Sequence, residues 1–225
     1  MQDLLKIILT RAGSQLSART VHRLNAAINY IETGRWLNAQ KLRPQVRAAS
    51  AHQLFDLVIE QVADQDVLYL EFGVFRGDSI RYWSQRLKNP RAKLHGFDSF
   101  EGLPEGWNID SPQGHFSTNG MIPVIDDSRV KFFKGWFNET LPSYRVPPHE
   151  KLVLDMDADL YSSTGYVLNT LESFIVPGTY IYFDEFADRQ NELRAFSEFV
   201  QETQMRFELL AANRDSSKVV FRRVG

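Results

Sequence analysis

Acidic side chains recur in the second half of the sequence at two places where a short apolar run ends. Asp155, Asp157 and Asp159 alternate with apolar residues at the end of one run. Asp184 and Glu185 directly follow another. Carboxylates held within a few ångströms repel one another unless a cation joins them or one keeps its proton, and oxygen ligands of this type suit Mg²⁺. Asp157, Asp184 and Glu185 are therefore predicted metal ligands. The alternative is a set of acids that cap helices, which suits Asp159 best.

A glycine-bearing turn follows the apolar run at 67–72. Glu71 stands near the end of that run, and Gly73 and Gly77 frame the turn before a helical pattern. The spacing differs from the dinucleotide fingerprint G-x-G-x-x-G, because Phe75 occupies a place where a pyrophosphate would need less bulk. A carboxylate here would repel phosphate but attract the ammonium and sulfonium groups of S-adenosylmethionine. The turn therefore indicates S-adenosylmethionine rather than NAD, with a plain tight turn as the alternative.

The next apolar run ends in the sequence Gly-Phe-Asp-Ser at 96–99, which contains Asp98 and Ser99. Asp98 follows Glu71 by about one strand–helix unit, where an acidic residue accepts ribose hydroxyls in nucleotide-binding α/β folds. A turn aspartate is the alternative. Asp98 and the adjacent Ser99 are predicted to bind the adenosyl part of the cofactor, and Trp136, which follows another strand end, is predicted to contact adenine.

Strands and helices must bring these residues to one edge of a sheet. From residue 67 onward, short apolar runs alternate with helical patterns, which predicts a mostly parallel α/β sheet covered by helices on both faces. The predicted strands are 67–72, 93–97, 130–133, 152–156, 179–183, 207–211 and 218–222. The predicted helices between them are 78–87, 163–174 and 191–203. The last two strands should form an antiparallel hairpin that completes a seven-stranded sheet.

The first part of the chain is helical in pattern. Residues 1–64 are predicted to be a helical extension or cap, and 65–225 the cofactor-binding domain. An apolar stripe at helical spacing runs through 17–33, and Gly34 follows as a stop signal. The stripe consists of Val21, Leu24, Ile28 and Ile31. It fits contact with a second subunit or packing on the chain's own sheet. A second helix is predicted over 50–62, with 35–46 as a connection or flap.

A long loop at 99–128 leaves the edge at which the predicted site lies. Loops of this length inside a compact domain are usually functional. The loop carries His115, which is predicted to be the general base because histidine titrates near neutral pH. An ordinary exposed histidine is the alternative, and Asp155 or Asp159 could take the role instead. Trp107 is a further candidate to line the pocket.

Composition limits the class of protein. The chain has 225 residues, of which 43% are hydrophobic and 24% charged, enough for one domain with a real core. A formal net charge of −2 gives no electrostatic footprint for nucleic acid or an anionic membrane. The absence of cysteine excludes disulfides, thiolate zinc sites and a cysteine nucleophile. We find no targeting or membrane-spanning segment, so a cytoplasmic protein is expected. The expected partner is a small molecule.

Five motifs in order resemble the macrocin O-methyltransferase (TylF-type) family, a branch of the class I S-adenosylmethionine-dependent methyltransferases. They are EFGVFRG at 71–77, GFDSFEGLPE at 96–105, KGWFNETLP at 134–142, DADLYSST at 157–164 and FDE at 183–185. The resemblance covers about residues 65–224. It implies a Rossmann-like sheet, S-adenosylmethionine as methyl donor, and Mg²⁺-assisted methylation of a sugar hydroxyl on a natural product.

The resemblance also carries residue roles. It matches Asp157 and the Asp184–Glu185 pair with metal carboxylates, although the macrolide enzymes have Asp-Asp at that pair. It matches Glu71, Gly73 and Asp98 with cofactor positions.

Methyl transfer requires an acceptor oxygen held in line with the sulfonium methyl group and removal of its proton. Mg²⁺ held by Asp157 and its partners would lower the pKa of the acceptor hydroxyl and orient it, which gives Asp157 a catalytic role.

Two alternatives for the function stay open. One is an NAD-dependent oxidoreductase, disfavoured by the missing fingerprint and by Glu71. The other is a non-catalytic interaction protein, disfavoured because the acidic residues that follow the two apolar runs are all present. A homo-oligomer is a further option.

Overall fold

The computed structural model describes residues 2–225. The strands are β1 (Val46–Ala48), β2 (Val67–Phe72), β3 (Lys93–Asp98), β4 (Val130–Lys134), β5 (Lys151–Met156), β6 (Tyr180–Phe183), β7 (Phe207–Asn213) and β8 (Val219–Arg223). The helices are α1 (Gln2–Gly13), α2 (Ala18–Ala39), α3 (Ala51–Val62), α4 (Asp78–Ser84), α5 (Phe137–Thr140), α6 (Tyr161–Leu171) and α7 (Glu192–Thr203).

The described residues form an eight-stranded sheet in the order β1-β7-β8-β6-β5-β2-β3-β4. Neighbouring strands pair in parallel, except that β8 runs antiparallel to β6 and β7. The predicted mostly parallel sheet with a C-terminal hairpin is confirmed. Because the chain builds outward from β2 to β4 and then returns to β5 on the other side, the strand order reverses between β2 and β5. Ligands of open α/β sheets bind at such a reversal, beyond the carboxyl ends of the strands.

Helices cover both faces of the sheet, as the apolar strand runs require. All six residues of β2 are buried, and they alternate between the two cores. Leu68 and Leu70 pack in one core with α6 and α7. Tyr69 packs in the other with the buried face of α3. This two-sided burial explains why β2 reads as an apolar run rather than as an alternating one.

The structure adds one short strand to the seven that were predicted. β1 is three residues long and pairs in parallel with β7, with Val46 opposite Ala211. α3 follows it and packs on the sheet through Leu54, Phe55 and Val58. Both elements precede the boundary predicted at residue 64, so we propose that the sheet domain begins near residue 45.

The predicted helix stop at Gly34 is wrong, and the predicted connection at 35–46 is helical as far as Ala39, whereas 40–45 do connect α2 to β1. α2 continues through Gly34 to Ala39. Trp36 and Leu37 in this last part bind the helix to the core: Leu37 is buried, and the Trp36 indole N–H donates to Ser197 Oγ at 2.9 Å. Burial of these two side chains outweighs the local preference of glycine for a helix end.

The apolar stripe on α2 lies at the surface. Val21, Leu24, Ile28 and Ile31 are 42%, 52%, 42% and 62% exposed. Burial on the chain's own sheet is therefore not what the structure shows, and contact with a second subunit stays a prediction. In the part of the chain that the structure describes, no helix has the length and apolar character needed to cross a membrane.

Candidate functional site

A cavity of about 750 Å³, here called the site cavity, lies at the carboxyl edge of the sheet. Residues that end or follow five consecutive strands of the sheet line it: Gly73, Phe75, Asp98, Ser99, Gly135, Trp136, Asp157, Ala158, Asp159, Asp184 and Glu185. Other lining residues come from the 99–128 loop, including Trp107 and Phe116, and from the start of α6, where Ser162, Ser163 and Tyr166 contribute.

Backbone hydrogen bonds hold the strand ends in line. The N–H of Gly73 donates to Phe97 O at 3.1 Å, and that of Asp157 donates to Phe72 O at 3.0 Å. The Asp184 N–H donates to Met156 O at 3.2 Å in the same way. The ladder thus continues one residue past each strand, and residues far apart in sequence reach one rim.

Most of the predicted site residues line the site cavity, but three do not. Those in the lining are Gly73, Asp98, Ser99, Trp136, Asp157, Asp184 and Glu185. Glu71, Gly77 and His115 are outside the lining of the site cavity. Their predicted roles in cofactor binding and catalysis stay predictions.

Gly73 and Gly77 have separate backbone reasons for being glycine. Gly73 has φ +95°, and a Cβ there would lie 1.9 Å from the backbone oxygen of Asp157. Gly77 has φ +75° at the start of α4, and its Cβ would lie 3.0 Å from Pro123 Cγ. The missing side chain of Gly73 therefore allows the backbones of the turns after β2 and β5 to approach closely at the site cavity. The missing side chain of Gly77 allows α4 to begin close to Pro123 of the 99–128 loop.

Asp98 organises the turns around the site cavity. Its Oδ2 accepts hydrogen bonds from the N–H groups of Val74 and Phe75, both at 2.8 Å, and its Oδ1 accepts from Phe100 at 2.6 Å. A carboxylate has about four acceptor positions, so three donors leave capacity for a further hydroxyl. The turn role and the predicted ligand role are thus compatible at this residue.

Glu71 belongs to a buried group with Tyr69 and Asp155. The Tyr69 hydroxyl lies 2.7 Å from Glu71 Oε2 and 2.5 Å from Asp155 Oδ2. One phenolic proton serves one carboxylate, so the other contact requires a protonated carboxyl group. Burial, with the charge of Asp155 as the next cause, raises the pKa of Glu71 well above its usual value. Burial also raises the pKa of Asp155 to about 7. Glu71 is thus a buried acid rather than a free charge facing a cofactor.

The acids of the rim are crowded and largely buried. Burial, with the charge of Asp184 second, raises the pKa of Asp157 well above its usual value. Burial also raises the pKa values of Asp159 and Glu185 to about 7 each, while the Lys218 ammonium acts to lower both. The site cavity therefore has an acidic end in which protons or a cation must balance the carboxyl groups.

The predicted metal ligands are not arranged as a metal site. Among the described residues, no group of three His, Cys, Asp or Glu side chains is placed to hold a metal ion. Both oxygens of Asp184 already have donors: Oδ1 accepts from the Tyr182 hydroxyl at 2.5 Å, and Oδ2 pairs with Lys218 Nζ at 2.5 Å. The oxygen donors are of a type that suits Mg²⁺, but this arrangement does not fit the ion.

The 99–128 loop lines the site cavity and is hydrogen-bonded to residues that follow β5 and β6. The Trp107 indole N–H donates to Asp188 Oδ2 at 2.8 Å, and Ser162 Oγ donates to Glu105 Oε1 at 2.8 Å. His115 is half-buried, with its ring 4.3 Å from that of Phe116. Two side-chain hydrogen bonds thus hold the loop beside the site cavity.

Three functional candidates were missed by sequence reasoning: Tyr69, Lys218 and Glu192. Glu192 is fully buried and its Oε2 accepts from the Glu185 N–H at 3.0 Å. Within the described residues its Oε1 has no hydrogen-bond partner. Lys218 was predicted only as the first residue of the last hairpin strand, and its place beside Asp184 follows from the antiparallel pairing of β8 with β6, which the sequence did not indicate.

The profile of the macrocin O-methyltransferase (TylF) family matches residues 45–223. The chain belongs to this family. The TylF-family chain is 30% identical over 138 residues to 8-demethyl-8-(2,3-dimethoxy-alpha-L-rhamnosyl)-tetracenomycin-C 4'-O-methyltransferase from Streptomyces olivaceus, covering 52% of each protein. It is 33% identical over 144 residues to mycinamicin III 3''-O-methyltransferase from Micromonospora griseorubida, covering 52% of this chain and 54% of that protein. It spans about half the length of the curated relatives that it matches.

The solved structure of the O-methyltransferase NovP is similar to the TylF-family chain. The TM-score is 0.57 and the sequence identity 25%, with 77% of this chain and 78% of NovP covered. The resemblance seen in the five motifs and the predicted class I methyltransferase fold are both confirmed.

Proposed function

We propose that the chain is an S-adenosylmethionine-dependent O-methyltransferase that acts on a hydroxyl group of a sugar or another natural product. One observation carries the proposal: Gly73 and Asp98, to which we assign the adenosyl group, line the same cavity as Asp157 and Asp159, to which we assign the acceptor. Two TylF-family relatives, named as 4'- and 3''-O-methyltransferases of natural products, support the reaction class and the type of acceptor.

The end of the site cavity at Gly73 and Asp98, here called the cofactor end, suits an adenosyl group without phosphates. Asp98 retains acceptor capacity for a ribose hydroxyl, and the Trp136 ring is available to an adenine. Among the described residues that line the site cavity, none is Lys or Arg. A pyrophosphate would find no cationic side chain there, whereas a sulfonium and an ammonium find an acidic surrounding. This favours S-adenosylmethionine over NAD.

The acceptor end is polar. S-adenosylmethionine supplies an activated methyl group when bound, so the chain's residues need to orient a hydroxyl and take its proton. Asp157 and Asp159 line this end together with Ser162 and Tyr166, and Trp107 of the 99–128 loop lines it as well. Asp159 is our first candidate for the proton acceptor. His115 is the second, because it would have to turn inward from its present position.

Transfer of a labelled methyl group from S-adenosylmethionine to a panel of glycosylated hydroxyl acceptors tests the proposal. We expect O-methylated product from the wild-type chain. Asp157→Ala should abolish transfer while its affinity for S-adenosylhomocysteine stays nearly unchanged, because Asp157 lies at the acceptor end. Cofactor binding without transfer to any acceptor would support a non-catalytic protein instead, and equal loss of binding and transfer would contradict the placement of Asp157 at the acceptor end.

A further inference from the structure

Lys218 lies where the rim acids are most crowded. It immediately precedes β8, whose first residue, Val219, pairs with Phe183 at the end of β6. This register sets Lys218 beside Asp184. Its Nζ lies 2.5 Å from Asp184 Oδ2 and donates to the Asp184 backbone oxygen at 3.2 Å.

The ion pair is partly shielded from water and fixed from both sides. The side chains of Lys218 and Asp184 are 27% and 24% exposed. The Tyr182 hydroxyl holds the other Asp184 oxygen at 2.5 Å, so the carboxylate has little freedom to rotate. The Lys218 charge also acts on Asp157 and Glu185, the other two predicted metal ligands. The ammonium thus contacts one of the three predicted metal ligands, Asp184, and its positive charge favours the ionised form of the other two.

We propose that the Lys218 ammonium takes the place of the divalent cation in this chain. It balances the charge at the ends of β5 and β6 and holds Asp184 in position, so the site cavity functions without Mg²⁺. Lys218 is a positioning residue, since it acts through Asp184. The inference rests on the proposed function for the role of the site cavity, but the ion pair can be tested without any turnover.

Binding of Mn²⁺, followed by the electron paramagnetic resonance signal of the free ion, tests the proposal. The wild-type chain should leave the signal unchanged. Lys218→Met has a side chain of similar length without charge, and it should bind one Mn²⁺ per chain. Adding Asp184→Asn to that variant should abolish the gain. Lys88→Met, which changes a lysine exposed away from the strand ends, is the matched control and should behave as the wild type.

Two results would overturn the proposal. One is wild-type binding of one Mn²⁺ per chain that Asp184→Asn removes, since the carboxylates would then be a metal site in spite of Lys218. The other is a folded Lys218→Met variant that binds no Mn²⁺. If Lys218→Met fails to fold by circular dichroism, Lys218→Gln replaces it, and the wild-type titration still decides the first point.

A separate titration keeps this result apart from the proposed function. Wild-type affinity for S-adenosylhomocysteine should be the same in EDTA and in Mg²⁺, and methyl transfer should survive EDTA. Failure to bind the cofactor under either condition would refute the proposed function, whereas cofactor binding that EDTA abolishes would refute the role of Lys218.

Discussion

Gly73 lies against the backbone carbonyl of Asp157, so closely that a Cβ at position 73 would fall 1.9 Å from that oxygen. The two residues follow β2 and β5, the strands between which the order of the sheet reverses. Since both also line the site cavity, this close backbone approach lies at the wall of the cavity.

Gly73→Ala should therefore damage both the fold and the site. The added methyl group meets backbone rather than a flexible side chain, and φ +95° is unfavourable for alanine. We expect the free energy of unfolding in urea to fall by at least about 2 kcal/mol and cofactor affinity to be lost.

Gly34→Ala is the control for that substitution. Gly34 lies within α2, and apart from its chain neighbours and the nearby backbone of its own helix, no described atom comes within 4 Å of the new Cβ. Alanine should raise the free energy of unfolding by up to about 1 kcal/mol because it favours the helix. Equal effects of the two substitutions would contradict the packing described for Gly73.

Asp98→Ala should weaken the binding of S-adenosylhomocysteine by about 1–3 kcal/mol, roughly 5- to 150-fold in the dissociation constant. The same change frees three backbone N–H groups, so unfolding in urea should also become easier. Ser99→Ala, at the neighbouring lining residue, is the comparison for the stability effect, since it leaves those three donors paired and frees only one backbone N–H, that of Glu101. A dissociation constant that Asp98→Ala does not alter would remove Asp98 from the cofactor site.

Trp107→Phe should loosen the loop over the site cavity. Phenylalanine keeps an aromatic ring but cannot donate to Asp188 Oδ2, and a hydrogen bond to a carboxylate contributes about 1–3 kcal/mol. Hydrogen exchange read by mass spectrometry should accelerate by about tenfold in the 99–128 loop while β2 is unaffected. Unchanged exchange in the loop would show that other contacts hold it closed.

Acid should destabilise the fold through His95. Burial, with the charges of Lys131 and Lys93 acting in the same direction, lowers the pKa of His95 from 6.5 to about 4. Its Nδ1 lies 2.7 Å from the Tyr144 hydroxyl. Between these two pKa values the unfolded chain binds a proton that the folded chain does not, so stability is present above pH 6.5 and falls toward pH 4.

This loss should amount to at most about 3 kcal/mol in the free energy of unfolding. Urea unfolding at a series of pH values measures it. His95→Gln cannot take up the proton, so its stability should depend less steeply on pH over the same interval. Identical pH profiles for the variant and the wild type would refute the assignment to His95.

Strand ends were predictable because the signal is local. β2 was predicted with its observed bounds, since burial on both faces gives an unbroken apolar run. Residues just past such runs must lie at the carboxyl edge of a parallel sheet, so Asp98, Trp136 and Asp157 were correctly expected near one another.

Contacts set by strand register were not predictable in the same way. Tyr69 and Asp155 are far apart in sequence and meet because β2 and β5 pair in one particular register. The same register places Asp155 beside Glu71, so Glu71, expected to face the cofactor, is instead buried next to a second carboxyl group. β1 was missed because three residues are too few to show a period, and its pairing with β7 stabilises it.

Isothermal titration of the wild-type chain with S-adenosylhomocysteine and, separately, with NADH tests the central claim most directly. We predict saturable binding of S-adenosylhomocysteine at one site per chain, strongly weakened by Asp98→Ala, and no comparable heat with NADH. Saturable binding of NADH without binding of S-adenosylhomocysteine would contradict the account.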